Sequence, residues 1–185
     1  MRIAFVGGKG GTGKSTLCYL TGLALAQAGK IVGIEDLDPQ QSITGWIDRD
    51  RDGMHPGIEG EITLIDTRPA LDDRTVSGAI ERADIVVLPC SPSPADIGAA
   101  RATADAIRAH RRKGAKSILV INRARSHTVL GDNARDVLGG LGMPIAATVI
   151  PERQGIQRAV LGGWRELDTD SKGVFLNLAI ELITA

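Results

Sequence analysis

Arg2-Ile3-Ala4-Phe5-Val6-Gly7-Gly8-Lys9-Gly10-Gly11-Thr12-Gly13-Lys14-Ser15-Thr16 decides how the rest of this chain is read. Its first five residues are a mostly apolar run rich in strand formers, and Gly7-Gly8 ends that run. From Ser15 to Gln27, Leu17, Leu20, Leu23, Leu25 and Ala28 recur at roughly helical spacing, and Gly29 closes the pattern. Between strand and helix lies a Gly-x-x-x-x-Gly-Lys-Ser match from Gly8 to Ser15. Glycines let the backbone approach an anion closely and aim successive N–H groups at it, and the helix start adds a favourable dipole. The chemistry that follows is phosphate binding. Lys14 is placed to neutralise the β- and γ-phosphates, Ser15 to supply a hydroxyl to Mg²⁺, and Thr16 to donate to the α-phosphate of a nucleotide.

The chain has 185 residues, equal numbers of acidic and basic side chains and therefore no net charge. That length suits one α/β domain with a sizeable core. A neutral chain has no global attraction for nucleic acid, so any such contact must come from a local patch. No apolar run reaches the length of a membrane span, and the opening apolar stretch is too short for a signal peptide. Cys18 and Cys90 are isolated and read as small core residues in a reducing cytoplasm.

Lys30 to Ile34 reads as a second strand leading into Glu35-Asp36-Leu37-Asp38-Pro39-Gln40, and Arg49 to Gly60 as a loop rich in charge, glycine and proline. Ile62 to Asp66 is a buried strand ending in a carboxylate. Further strands are expected at Ile85–Pro89, Ser117–Asn122 and Ile145–Ile150. Helices are expected from the Ser91-Pro92-Ser93-Pro94 start towards Arg112, from about Leu130 to Leu141, and over the final Val174–Ile183 stretch. Strands alternating with helices predict a doubly wound, mostly parallel sheet covered on both faces, with ligands at the carboxyl ends of the strands. Lys14, Asp38, Asp66 and Asn122 all fall there.

Lys9-Gly10-Gly11-Thr12-Gly13-Lys14-Ser15-Thr16, with its second lysine at the start, resembles the deviant phosphate loop of the ParA/MinD ATPases. Asp36-Leu37-Asp38-Pro39-Gln40, Asp66 and the Pro151-Glu152-Arg153 segment extend the resemblance over essentially the whole chain. The resemblance implies a P-loop NTPase fold, a single ATPase domain over residues 1–185 without an N-terminal DNA-binding extension, and Mg²⁺-dependent hydrolysis of ATP. It implies that Lys9 acts in trans on the ATP of a partner subunit, with Lys14 and Asp38 as the other catalytic groups. Gly8, Gly10, Gly11, Thr12 and Gly13 would cradle the phosphates beside Ser15 and Thr16. Ser15, Asp36, Asp38 and Asp66 would serve the metal. Pro151, Glu152 and Arg153 would wrap the adenine. Asn122 is either a reader of the base or an ordinary turn asparagine after a strand.

One departure stands out: relatives commonly carry two prolines soon after the Asp66 position, whereas Arg68 precedes Pro69 here. Arg68 either reaches phosphate or partner, or lies in solvent. The 49–60 loop is also shorter than is usual in the family, as if a small accessory element were missing. By resemblance the protein is expected to be a small partitioning ATPase: an ATP-bound homodimer that binds nonspecific DNA, is released by a centromere-binding ParB-type adaptor, and is cytoplasmic and nucleoid-associated when ATP-bound. Arg101, Arg108, Arg111, Arg112, Lys113 and Lys116 form one candidate phosphate-backbone patch, and Arg153, Arg158 and Arg165 a second. The same cations can instead complement a helix dipole. Alternatives are a relative that positions a protein cargo or assists conjugative transfer, a MinD-like spatial regulator, or a module that binds ATP and dimerises with negligible turnover. The final helix contains no Lys or Arg after Lys172, unlike the basic membrane-targeting end of MinD-type proteins, so no membrane partner is expected. Trp46 and Trp164 read as core or interface residues.

Overall fold

A computed structural model describes residues 1–50, 54–56, 60–125 and 133–185. Six strands form one sheet: β1 (Arg2–Phe5), β2 (Val32–Asp36), β3 (Met54–Pro56), β4 (Ile62–Asp66), β5 (Ile85–Cys90) and β6 (Lys116–Ile121), in spatial order β3-β2-β4-β1-β5-β6. Every recorded pairing is parallel. The expected doubly wound architecture is present, and all of these carboxyl ends point the same way.

Alternation along the strands sorts the core into two layers. Ile3 and Phe5 of β1 face one side with α1 (Lys14–Gln27), α2 (Ser42–Asp50), α6 (Gln154–Gly162) and α7 (Thr169–Thr184). Ala4 and Val6 face the other with α3 (Arg74–Arg82), α4 (Pro94–His110) and α5 (Ala134–Gly139). Helix α1 is apolar on nearly every side because it lies between the sheet and α7; Leu17, Leu20, Leu23 and Leu25 are all buried. Burying such leucines contributes about 1.5–3 kcal/mol each relative to exposure. That anchoring fixes where α1 begins, and so fixes the phosphate loop.

The register delivers the carboxylates. Phe5 pairs with Asp66, and Asp66 pairs with Asp36, so the ends of β1, β4 and β2 meet on one rim.

Three expectations need correction. Ile145–Ile150 is not a continuous strand; it meets β6 through an isolated bridge between Ile145 and Leu119 and a few backbone hydrogen bonds, including Ala146 N–H to Leu119 and Ile150 N–H to Ile121. Side chains have taken its ladder groups: the Glu181 carboxylate accepts from the N–H groups of Ala147 and Thr148, and Arg135 donates to the carbonyls of Ala146 and Ala147. The stretch read as a loop from Arg49 to Gly60 begins inside α2 and contains β3, an edge strand that tolerates Pro56 because an edge need not donate on both sides. The sheet therefore has a short edge strand where sequence composition shows only turn formers, while residues 51–53 and 57–59 of that segment lie outside the described residues. The expected helix from Leu130 is Ala134–Gly139, with 130–132 outside the described residues. Helices α2, α3 and α6 have no counterpart in the sequence reading.

Gly60 shows how tight the join between β2 and β4 is. A methyl group there would lie 2.7 Å from the Gly33 nitrogen and closer still to the Ile31 carbonyl oxygen, both of them backbone atoms. We expect Gly60→Ala to destabilise the fold by about 2–4 kcal/mol, measured as a lower denaturant midpoint with an unchanged slope.

Candidate nucleotide site

Helix α1 starts without a side-chain cap, in contrast to α3, α4 and α7, whose starts are capped by Asp73, Ser93 and Asp168. Its leading residue Gly13 sits at φ 92°, a conformation that strongly favours glycine. A side chain there would also collide with the Asn122 amide. The first-turn N–H groups of α1 are therefore free to meet an anion.

They line a cavity of about 600 Å³ together with Gly10, Gly11, Lys14 and Ser15 on one side and Asp38, Gln40, Trp46 and Arg68 on the other. A second cavity of about 170 Å³ shares Gly13, Thr16 and Arg123 with the first and continues past Asn122, Pro151, Glu152 and Arg153 to Ile156 and Val160. The shared residues make one groove with a polar compartment and a more apolar one. Its size and lining suit a nucleotide.

Lys14 is buried, and its ammonium reaches the Lys9 carbonyl at 3.4 Å. Burial lowers its pKa, while the charges of Asp66 and Asp38 act the other way. Asp66 is fully buried, and neither carboxylate oxygen has a hydrogen-bond partner. Burial is the main reason its pKa rises to about 7; Asp36 and Asp38 push it further up, and Ser15 and Lys14 pull it back. A buried carboxylate with unused oxygens costs free energy unless a proton or cation meets it.

These groups fit Mg²⁺. Among the described residues no cluster of three or more His, Cys, Asp or Glu side chains is built to hold a metal, but Mg²⁺ bound to phosphates and waters needs only one or two protein groups. Ser15, Asp38 and Asp66 are the residues that would serve it.

Asp36, expected to support the metal, is committed elsewhere. One of its oxygens accepts from the Asp38 N–H, and the other accepts from the N–H and hydroxyl of Thr44. It braces the turn between β2 and α2 and does not line the cavity. Asp38 accepts from the Gln40 N–H at 2.9 Å while lining the phosphate compartment.

Asn122 does more than either expectation allowed. It is buried, donates to the Thr12 carbonyl at 2.8 Å, and accepts from the Arg123 N–H at 3.0 Å. It ties β6 to the phosphate loop while forming part of the wall of the second, more apolar compartment. Glu152 is paired with Arg125, and Arg153 with Asp168 and Asp170, so these two side chains are directed to neighbours within the chain. Sequence reasoning missed Gln40, Arg123, Ile156 and Val160 as lining residues; only the position of Gln40 beside Asp38-Pro39 offered a signal.

Arg68 lines the phosphate compartment while pairing with Asp73 at 3.0 Å. In the basic patch, Arg108 is held by Asp105 and the Leu141 carbonyl, Arg111 by the Ala115 carbonyl, and Arg112 by Asp84 and the Ala83 carbonyl. Arg101, Lys113 and Lys116 are exposed and make no ion pair among the described residues. In the second patch Arg158 is likewise exposed, whereas Arg153 is paired. Both cysteines are buried, and burial raises both thiol pKa values, that of Cys90 to about 12, so neither is a nucleophile. No helix among the described residues is long and apolar enough to cross a membrane.

Residues 3–163 match the model of the CobQ/CobB/MinD/ParA nucleotide binding domain. Among curated proteins, the chain is 25% identical over 186 aligned residues to a maintenance of carboxysome distribution protein A from Halothiobacillus neapolitanus, covering 89% of this chain and 86% of that protein. Among solved structures, it resembles a putative plasmid partition protein from Borrelia burgdorferi B31 bound to AMPPNP, at a TM-score of 0.81 and 16% identity over 100% of this chain and 98% of that one. It also resembles the septum site-determining protein MinD from Pyrococcus horikoshii complexed with Mg-ADP, at a TM-score of 0.73 and 18% identity over 98% of this chain and 95% of that one.

Asp66 generates a pH prediction. Its folded pKa of about 7 lies above the ordinary carboxylate value, so the nucleotide-free fold binds an extra proton between those values and loses stability as pH rises through that window. Asp66→Asn is expected to raise the melting temperature of the nucleotide-free protein by several degrees at pH 8 and to leave it nearly unchanged at pH 4. In the unsubstituted protein, Mg²⁺ affinity measured with bound nucleotide by calorimetry should fall as pH drops and Asp66 takes up its proton.

Proposed function

The chain belongs to the CobQ/CobB/MinD/ParA nucleotide-binding family, and on that premise we propose that it is a single-domain, Mg²⁺-dependent ATPase that works as a dimerisation switch in DNA partition. The observation that carries this reading is the pair of lysines in one loop. Lys14 is buried inside the cavity, whereas the Lys9 side chain is 42% exposed on the outer side of the same loop. A lysine so placed cannot serve its own phosphates in the way Lys14 does, and the resemblance gives it a partner's ATP to serve.

In this mechanism the first-turn N–H groups of α1, Lys14 and Thr16 hold the phosphates, while the Pro151–Arg153 backbone side of the groove holds the nucleoside end. Mg²⁺ neutralises phosphate charge when bound. Asp38 orients the attacking water, and Asp66 would supply a carboxylate charge to the metal. Lys9 of each protomer crosses to the ATP of the other and completes the site. Groups supplied in trans to phosphoryl transfer raise rates by ~10³ to 10⁵, which couples turnover to dimer formation.

The dimer binds nonspecific DNA through paired copies of Arg101, Lys113 and Lys116, and a centromere-binding ParB-type adaptor stimulates hydrolysis and release in the cytoplasm. Such contacts are electrostatic and indifferent to sequence. A second reading, in which the cargo is a protein assembly, is favoured by the similarity to the carboxysome distribution protein. The two share the ATPase site and the DNA surface and differ in what the adaptor carries.

Lys14→Ala is expected to abolish ATP binding by calorimetry. Lys9→Ala should retain ATP affinity within a few-fold, yet lose the dimer and at least ~10³ of stimulated turnover. DNA affinity of the ATP-bound protein should fall about a thousandfold between 50 and 200 mM salt if three cations per protomer each meet a phosphate. Equal DNA affinity with ATP and ADP would contradict the partition reading.

A further inference from the structure

Lys9 has a partner of its own within the chain. Its ammonium lies 2.5 Å from Asp96 Oδ1, in the first turn of α4 and 87 residues away in the chain. Asp96 is only 18% exposed, and its other oxygen accepts from the Ser91 hydroxyl. Burial works to raise its pKa, but the hydrogen bonds from Lys9, Ser91 and Ser93 outweigh burial and hold it below the ordinary value. Two turns further along α4, the buried Thr103 accepts from the Gly8 N–H at 3.1 Å. Asp96 and Thr103 thus present one face of α4 to the start of the loop.

The Lys9 carbonyl is engaged at the same time. It accepts from the Lys14 ammonium at 3.4 Å and from the Thr12 hydroxyl at 3.5 Å. The two lysines of the loop both find partners within the chain: Lys14 in the Lys9 backbone, Lys9 in Asp96.

We propose that Asp96 is a positioning residue that holds Lys9 in cis and so sets the protein concentration at which the ATP-bound dimer forms. The proposal rests on the reading of Lys9 as a trans group. An ammonium 2.5 Å from one carboxylate cannot also reach across an interface to a partner's phosphates, so dimerisation must break this pair once in each protomer. A partly exposed ion pair holds its partners by a modest amount. A factor of about three per pair, applied twice, makes a total of about tenfold in the dimer dissociation constant. Phosphate entry helps from the other side, because Lys14 leaves the Lys9 carbonyl when it turns to the ligand. The same carboxylate weighs more against dimers of ADP-bound and empty protomers, since neither offers Lys9 a γ-phosphate in exchange.

Sedimentation of the full chain with a non-hydrolysable ATP analogue tests this. Asp96→Asn, which preserves size and hydrogen bonding, is expected to form dimers at about tenfold lower concentration than the unsubstituted protein. Asp96→Glu, which keeps the charge, should stay near the unsubstituted value. A merely structural role for Asp96 predicts the reverse, weaker dimers in the Asn variant. Unchanged or weaker dimerisation of Asp96→Asn, in a background where Lys9→Ala abolishes the dimer, overturns the cis-holding role alone. A dimer that survives Lys9→Ala overturns the trans reading, and the role of Asp96 falls with it.

Discussion

Negative charge at the end of buried strands is the constraint that the rest of this molecule answers to. Parallel register sets Asp66 beside Asp36 at the ends of the strands, where Asp66 itself is shielded from water and neither of its oxygens is paired. Such a group is held neutral by a proton or offset by a cation. Lys14, packed against the same rim at the start of α1, offsets part of it and gives up some of its own basicity through burial. The site is poised for a ligand that brings both anions for Lys14 and a cation for Asp66. A nucleotide with Mg²⁺ brings both at once.

The geometry behind that poise comes from packing remote from the chemistry. The apolar sides of α1 fix its axis between sheet and α7, and Asn122 fastens β6 to the Thr12 carbonyl, so the loop is held at its helix, by α4 through Thr103, and across the sheet. Asp36, spent on backbone and Thr44, shapes the turn that presents Asp38. Packing and hydrogen bonds outside the phosphate loop thereby decide how the groups that line the cavity are placed.

What could be read from the sequence was what lies consecutively along it. The phosphate loop, the helix behind it and the strand ending at Asp66 are contiguous patterns with a physical period, and the structure contains them. Where competition between distant groups decides the outcome, sequence reading fails. Ile145–Ile150 has strand composition, but Arg135 and Glu181 take its backbone groups. β3 is hidden among glycine, proline and charge because pairing with β2, not local propensity, makes it a strand. The Lys9–Asp96 pair could not be read at all, since nothing local to either residue announces the other. The place of Asn122 after a strand is visible in the sequence, but its bond to the loop depends on the sheet bringing β6 beside α1.

If one protomer's Lys9 completes the other's active site, two variants that are each inactive should restore activity to one another on mixing. Lys9→Ala lacks the crossing lysine, and Asp38→Ala lacks the group that orients water; each alone should hydrolyse ATP negligibly. In a mixed dimer, the site on the Lys9→Ala protomer keeps its own Asp38 and receives Lys9 from the other protomer. The account predicts that phosphate release reappears on mixing, at a substantial fraction of the unsubstituted rate. A mixture as inactive as its components, with mixed dimers shown to form, would contradict it.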